Sequence, residues 1–454
     1  MTDLSCEIPT APGSRPLIGH LLPFLKQPFT FLAQLPEHGD LVKIRLGPKA
    51  AVVICDPGLT RKVLIDDRTF DKGGLFLERE REWLGESVAT CTHSKHRHKR
   101  RLAQPAFHSK RLAGYAHTMT AQIASVVDGW QSGQVLDVCP EMFTITSRVF
   151  GATMFSSTLS PTGLREVVSD LTATFEGTFQ RTLLPDAISR LPIPGTRRYN
   201  HANLRLRNTM NGIIADRRAT GVDSGDLLSA LLAVHDRDSD TPGTTDDDVS
   251  DAVVTFFVAG TETTSSALAW VLYLLAQHPD IEAELHAEID TVLSGRAPDH
   301  SDLEQLEVAS RIVTETLRLY PPAWFFTRTV TAGVRLGPYD LSAGSTVALS
   351  PYLIHRRPDL YDEPDRFDPD RWLPERATSS PGALLPFGGG ARKCIGEAFG
   401  MTEVVLALVT IASRWRLQTI PGLRIRPPLS VSLVPGGLHL RLIDRRAGRH
   451  RLRE

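Results

Sequence analysis

The chain carries almost no net charge: 51 basic against 52 acidic residues leave a formal −1 over 454 residues. So balanced a protein has no global field to draw it onto nucleic acid or an anionic membrane. Cysteine is scarce. The five residues Cys6, Cys55, Cys91, Cys139 and Cys394 are odd in number, widely spaced and free of any C-x-x-C pair. That pattern excludes a disulfide framework and a cysteine-rich zinc site, and it fits a reducing, cytoplasmic setting. No apolar run reaches the roughly 18 residues of a membrane-spanning helix, so no membrane anchor is expected. The first ten residues include Asp3 and Glu7 and lack the apolar core of a secretory leader. No internal repeat is present.

What is there is an ordinary globular mixture, 41 % apolar and 23 % charged, enough to bury a large core. The length allows two or three domains, or one large fold. Residues 1–20 read as a stiff lead-in held extended by Pro9, Pro12 and Pro16, and residues 445–454 as a basic tail that frays. Strands are expected over Leu41–Leu46 and Ala50–Cys55, around a Gly47-Pro48 turn, and a helix from Pro57 to Asp66. Residues 70–92, with Gly73, Gly74 and Gly85, read as a long irregular loop of the kind that carries function. From Lys95 to Leu293 most segments read as helices, interrupted at 191–195 and 236–248. Within them Val249–Gln277 is apolar almost all round and belongs at the centre of the molecule, its start capped by Thr244 and Asp246–Asp248. Helices Ile281–Leu293 and Leu303–Leu319 follow. Then come strands Val334–Leu336 and Thr346–Leu349, a meander over 356–386 and a last helix from Ile395 to Arg414.

One stretch is chemically pointed. Phe387-Gly-Gly-Gly390-Ala-Arg392-Lys-Cys394-Ile-Gly396 stands directly before the last helix. N–H groups of the turn and of the helix start aim at the Cys394 sulfur, favouring a thiolate and tuning a metal bound to it. Gly390 and Gly396 let backbone approach a flat ligand, and Arg392 can pair with an anion on it. A lone cysteine in a Gly-rich turn is more often a small buried hydrophobe; its neighbours argue otherwise here. The central helix holds Ala259-Gly260-Thr261-Glu262-Thr263-Thr264. Gly260 leaves room beside the helix, and a threonine hydroxyl can bond the carbonyl of the previous turn and open the helix into a polar notch. Alone, that run is equally an ordinary polar patch. Glu315 and Arg318 share a helix face, as do His96 and Arg100, which can both reach an anion; alone, either pair is usually solvated surface.

Together these stretches resemble the cytochrome P-450 family. The cysteine loop matches its F-x-x-G-x-R-x-C-x-G signature at every fixed position, and thiolate-ligated haem is the known hallmark of that family rather than a deduction from these residues. The central-helix run, Glu315-Thr-Leu-Arg318, Pro364-Asp365-Arg366-Phe367 (Asp365 where the family has Glu) and His96-Arg-His-Lys-Arg100 fall in the family's order. The resemblance implies a single domain over 1–454, mainly α with small β-sheets (α+β). Haem b (iron protoporphyrin IX) would lie between the long central helix and the helix after the cysteine loop. It implies Cys394 as the metal ligand; His96, Arg100, Arg328 and Arg392 as propionate partners; Phe387 and Gly260 as further cofactor contacts; Glu262 and Thr263 as the proton-delivering catalytic pair; and a structural triad of Glu315, Arg318 and Arg366.

The implied reaction is insertion of one oxygen atom of O2 into an organic substrate. No flavin or ferredoxin module is visible, so electrons are expected from a separate ferredoxin and ferredoxin reductase. Lys95, Arg97, Lys99, Arg101 and Lys393 would offer that donor a basic face, where the plain alternative is a solvated surface. Within the family the chain is similar to actinobacterial sesquiterpene oxidases. The pocket segments supply Phe76, Phe256, Phe257, Trp324, Phe325, Phe326 and Val434, some of them expected in the core instead. So few charges point to a small apolar substrate, a terpenoid, held by shape. A fatty-acid or polyketide hydroxylase is the nearest alternative, but a fatty acid would want a cationic anchor. A non-catalytic haem-binding sensor or a peroxide-using relative would be expected to lack the Glu262–Thr263 pair.

Overall fold

The computed structural model describes residues 7–157, 159–184, 189, 191–237, 245–376, 380–422, 425, 427–428 and 430–445. Helix Asp246–Gln277 runs through its centre and is buried along most of its length, as an all-round apolar sequence requires. Thr245 and Asp248 close a reciprocal capping box at its start, and three aspartates occupy its first turn, where the helix dipole favours negative charge. The expected cap, Thr244, lies outside the described residues; Thr245 does the capping. Helices Val138–Met154, Pro194–Thr220, Glu307–Leu319 and Glu397–Ala412 pack around this central rod.

A five-stranded sheet lies to one side, in the order Leu41–Leu46, Lys49–Ile54, Thr346–Leu349, Phe326–Val330, Phe70–Lys72. Its one parallel pairing joins Lys49–Ile54 to Thr346–Leu349. Strands Val135–Asp137, His439–Asp444 and Trp415–Thr419 form a second sheet, and Val334–Leu336 pairs with Tyr339–Leu341 in a hairpin. One hydrophobic core surrounds the central helix; a second fills the space between the five-stranded sheet and the N-terminal helices Leu21–Lys26 and Pro28–Gln34. The arrangement is mainly α with small β-sheets, as expected.

Several expectations need correction. Residues 70–92 are not an irregular loop: they hold strand Phe70–Lys72 and helix Leu75–Leu84, which buries Leu75, Phe76, Leu77, Trp83 and Leu84. The glycines there mark a close crossing. A Cβ on Gly73 would stand 2.3 Å from Thr329 Oγ1, and one on Gly74 (φ +89) 2.8 Å from Thr327 Oγ1, so only glycine fits against the sheet. Helix Pro194–Thr220 begins inside the expected break at 191–195. The helix expected from Leu303 starts at Glu307, after a 3-10 turn at His300–Asp302. The proline lead-in is pinned to the sheet edge by Ala11 N–Lys43 O (2.9 Å) and Lys43 N–Pro9 O (2.8 Å). Of the expected fraying tail, Arg445 is anchored to Asp290 at 2.7 Å, and residues 446–454 lie outside the described residues.

Candidate active site

A 3-10 turn, Gly390–Arg392, leads into Cys394, and helix Glu397–Ala412 starts three residues further on. The Cys394 amide donates to the Phe387 carbonyl at 3.0 Å and closes the loop. Cys394 lines a cavity of about 220 Å³ together with Phe256, Ala259, Gly260 and Thr263 of the central helix. The enclosing protein pushes the Cys394 thiol up, against the opposing Gly396 amide. A cation at the sulfur would reverse that, because a coordinating thiol is deprotonated outright.

Each glycine has a particular reason. Gly390 (φ +66) would place a Cβ 2.2 Å from the Leu64 carbonyl oxygen; its smallness serves packing against the helix Pro57–Ile65, not approach to a flat ligand as expected. A Cβ on Gly260 would meet the Phe150 ring at 2.2 Å, so this glycine admits a neighbouring helix while its backbone still lines the cavity. Gly396 is the open one, its Cβ position 3.9 Å from the Cys394 sulfur.

Thr263 Oγ1 donates to the Ala259 carbonyl at 2.7 Å, as expected of an interior threonine. The helix nonetheless stays continuous from 246 to 277, so the expected local opening is absent. Glu262, the preceding residue, points elsewhere. It lines a second cavity with Cys139, Phe143, Phe175, Ser430 and Val434. Burial lifts its carboxyl to about 7, with the Ser432 hydroxyl opposing.

Cationic groups gather at the edge of the cysteine cavity. Arg328 is buried, its Nε and Nη1 have no partner, and burial together with nearby Arg392 lowers it to about 10. A buried guanidinium left unpaired is costly and fits an anion bound beside it. Lys72 stands opposite Arg328 in the antiparallel pairing, lines the cavity, and is held at about 7 by burial and by Arg328. Sequence reasoning missed Lys72, because its strand read as a loop. His96 is buried and lowered to about 4 by burial, Arg392 and Arg100, so it offers a neutral ring N–H rather than a charge. Arg100 reaches the cavity while donating to Lys393 O at 2.7 Å. Arg392 lines the cavity but is already committed: Nε to Asp67 and Nη2 to Asp71, both at 3.0 Å, and Nη1 to Cys91 O at 2.9 Å. A cysteine and a small-residue helix stretch lining one cavity, Lys72 and Arg100 on its wall, and the buried, unpartnered Arg328 beside Lys72 in the sheet suit a flat metal-centred ligand with carboxylates on one edge. Haem b has that form.

Behind the loop lies a buried scaffold. Arg318 donates to both Glu315 oxygens at 2.8 Å, and both side chains are 0 % exposed. The third partner is not Arg366, which pairs with Glu363 in solvent and contributes only its carbonyl to Arg318. It is Arg371, with Nε 3.5 Å from Glu315, helped by the Trp372 indole at 3.0 Å. The 3-10 turn Pro369–Trp372 aims both inward. His355, also unforeseen, links Arg318 O (Nδ1, 3.0 Å) to Leu385 N (Nε2, 2.7 Å), two residues before Phe387.

Among the expected pocket aromatics only Phe256 lines the cysteine cavity. Phe257 is core, packed on Phe150 and Phe155. Trp324 stacks on Phe24 and Phe325 meets it edge-on, and the Trp324 indole donates to Ser430 O. Phe76 packs on Phe179 and Phe325, Phe326 lies under Arg328, and Val434 belongs to the Glu262 cavity. In the basic run, Arg97 and Arg101 are exposed. Lys99 is mostly buried and tied to Asp248 at 2.6 Å, Lys95 pairs with Glu86, and Lys393 with Glu397.

A cysteine and a long central helix lining one cavity of a shape and chemistry that suit haem point to a class: the haem-thiolate oxidoreductases. The cytochrome P-450 family model matches residues 9–440, and the chain belongs to that family, whose cofactor is haem b. Among curated relatives, cyclooctatin synthase of Streptomyces melanosporofaciens is 45 % identical over 434 residues, 95 % of this chain and 94 % of the relative. Cyclooctat-9-en-7-ol 5-monooxygenase of the same organism is 44 % identical, covering 91 % and 90 %. Pentalenene oxygenase of Streptomyces avermitilis is 42 % identical, covering 97 % and 98 %. Among the described residues no helix is long and apolar enough to cross a membrane.

Proposed function

We propose that this monooxygenase oxidises a terpenoid, with Cys394 as the iron ligand and Glu262 and Thr263 as its proton-delivering pair. The observation that supports this reading is that Cys394 and Thr263 line the same cavity. Haem in that cavity supplies the activation of O2 and the insertion of one of its atoms into a C–H bond. The chain's own groups do the rest. Lys72 and Arg100, with Arg328 beside Lys72, would hold the carboxylate edge, and His96 would donate from a neutral ring. Glu262, near half-protonated at neutral pH, is poised to release and regain a proton. Phe256 and Ala259 present an apolar wall to the substrate.

The relatives' names support a terpenoid. The sesquiterpene pentalenene and the cyclooctatin skeleton are both candidate substrates. Electrons come from a ferredoxin and its reductase docking on the exposed Arg97 and Arg101, in the cytoplasm. The test is a spin-state titration of the ferric enzyme. Pentalenene or cyclooctat-9-en-7-ol should shift the Soret band towards high spin at micromolar concentration. A shift with lauric acid and none with either terpenoid would favour the fatty-acid reading.

A further inference from the structure

We infer that Thr255 is a specificity anchor for an oxygen already present on the substrate, so that the enzyme acts on a terpenoid alcohol rather than a bare hydrocarbon. The inference deepens the proposed terpenoid reading and rests on it. Thr255 belongs to the central helix, is 2 % exposed and lines the cysteine cavity. Its Oγ1 is buried and has no hydrogen-bond partner.

Interior helix threonines commonly settle their hydroxyl on the carbonyl four residues back. Thr261 and Thr263 of the same helix do so, donating to Phe257 O and Ala259 O, each at 2.7 Å. Thr316 and Thr410 do the same in their own helices, at 2.8 and 2.7 Å. Thr255 does not. A buried hydroxyl without a partner is costly, and among the described residues the surrounding protein supplies none. The partner that remains is an occupant of the cavity. A helical threonine has two accessible χ1 rotamers, so rotation about Cα–Cβ can turn the hydroxyl towards a ligand.

The wall of the cavity decides the class of that ligand. Among the described residues no Asp or Glu lines it, so a substrate ammonium would stand unpaired there. Its cations are committed. Lys72 and Arg100, with Arg328 beside Lys72, are those that would hold the haem carboxylates, while Arg392 pairs with Asp67 and Lys393 with Glu397. A substrate carboxylate therefore finds no free charge, and a hydrocarbon offers a hydroxyl nothing. What fits is a neutral oxygen, and a substrate hydroxyl both donates and accepts, as the Thr255 hydroxyl does. Thr255, Ala259 and Thr263 recur every four residues along one side of the helix. At 1.5 Å per residue, Thr255 stands about 12 Å along the axis from Thr263. The anchored oxygen and the carbon oxidised near Thr263 thus belong to different parts of the skeleton. Such a substrate must be supplied by a reaction that has already placed oxygen on the hydrocarbon, and this enzyme then adds a later one.

The test is a spin-state titration of the haem-loaded ferric enzyme with two matched ligands: cyclooctat-9-en-7-ol, and the same skeleton carrying hydrogen in place of the hydroxyl. Thr255→Val removes the hydroxyl at nearly constant shape, and Thr255→Ser keeps it. Thr255→Val should weaken the alcohol relative to the hydrocarbon by roughly 2- to 10-fold, and Thr255→Ser should retain the wild-type ratio. Without ligand, Thr255→Val should unfold at the same urea concentration as wild type or a higher one, since it loses a hydroxyl that the fold leaves unpaired. A clearly lower midpoint would mark the hydroxyl as structural and overturn the anchor. Should Thr255→Val fail to bind haem, Thr255→Ala reads the same ratio. If the ratio is unchanged, or both ligands weaken equally, the anchor is wrong and the terpenoid reading stands. If neither ligand nor pentalenene shifts the wild-type band, the terpenoid reading fails first and takes the anchor with it.

Discussion

Replacing Arg371 with alanine should unfold the protein more easily than replacing Arg366, although the Pro-x-Arg-Phe pattern nominates Arg366. Glu315 is fully buried and accepts from Arg318 twice at 2.8 Å, from Trp372 at 3.0 Å, from the Asp368 amide at 3.1 Å and from Arg371 at 3.5 Å. Arg371 is the longest of these contacts, yet it is the second cation beside a buried carboxylate. Its guanidinium also lies over the Tyr361 ring. Deleting one hydrogen-bonding partner of a buried charge costs about 1–3 kcal/mol. The 3–5 kcal/mol of a fully orphaned ion is not reached, because Arg318 remains. Arg366 is 64 % exposed and pairs with a Glu363 that is 70 % exposed, an arrangement worth at most about 1 kcal/mol. The carbonyl it lends to Arg318 survives truncation. Urea unfolding of the haem-loaded protein, followed by the Soret band and far-ultraviolet circular dichroism, compares the two variants directly. A midpoint for Arg366→Ala equal to or below that of Arg371→Ala would refute the assignment.

Cys394→Ser should abolish the red-shifted Soret band of the reduced carbon monoxide complex; retention of that band by Cys394→Ala would remove Cys394 as the ligand. His355 should make the fold acid-sensitive. Burial, with Arg318 and Arg356 nearby, holds it at about 3, whereas the unfolded chain protonates near 6.5. Between these values the unfolded state binds the extra proton, so stability falls as pH drops below about 6.5, by about 1.4 kcal/mol per unit, or about 2 kcal/mol by pH 5. His355→Gln should be less stable at pH 7 but flatter between pH 6.5 and 5, and an unchanged slope would contradict the neutral-histidine link. Charge reversal at Arg97 and Arg101 together should weaken ferredoxin-dependent reduction several-fold and reduce its salt dependence, with substrate affinity unchanged. Lys99→Glu should instead lower stability, since it sets two carboxylates together at Asp248; unaltered donor kinetics in the Arg97/Arg101 variant would dismiss the docking face.

The chemistry-bearing stretches were legible because each is local. The cysteine loop, the Gly260–Thr264 run and the Glu315–Arg318 turn are set by spacing within one loop or helix, and the structure places them around one cavity and its support. What the sequence misjudged was non-local. Gly73 and Gly74 read as loop punctuation, because the reason for them, Thr327 and Thr329 pressed against that backbone, lies far along the chain. Lys72 and His355 escaped notice for the same cause: a lysine in a short strand and a histidine in a turn acquire meaning only from Arg328 opposite, or from Arg318 and Leu385 on either side.

The sequence alone determined that a cysteine would stand before a helix, that a long apolar helix would fill the centre, and that an acid and an alcohol would sit side by side on it. Periodicity and short-range backbone geometry suffice for those. Tertiary structure decided which arginine completes the Glu315 network, which aromatics face the cavity and which fill the core, and that Glu262 and Thr263 open onto separate spaces. Those outcomes depend on what packs against each face. A residue's neighbours across the fold, not its neighbours in the chain, decide whether a charge is paired and whether a ring is wall or filling.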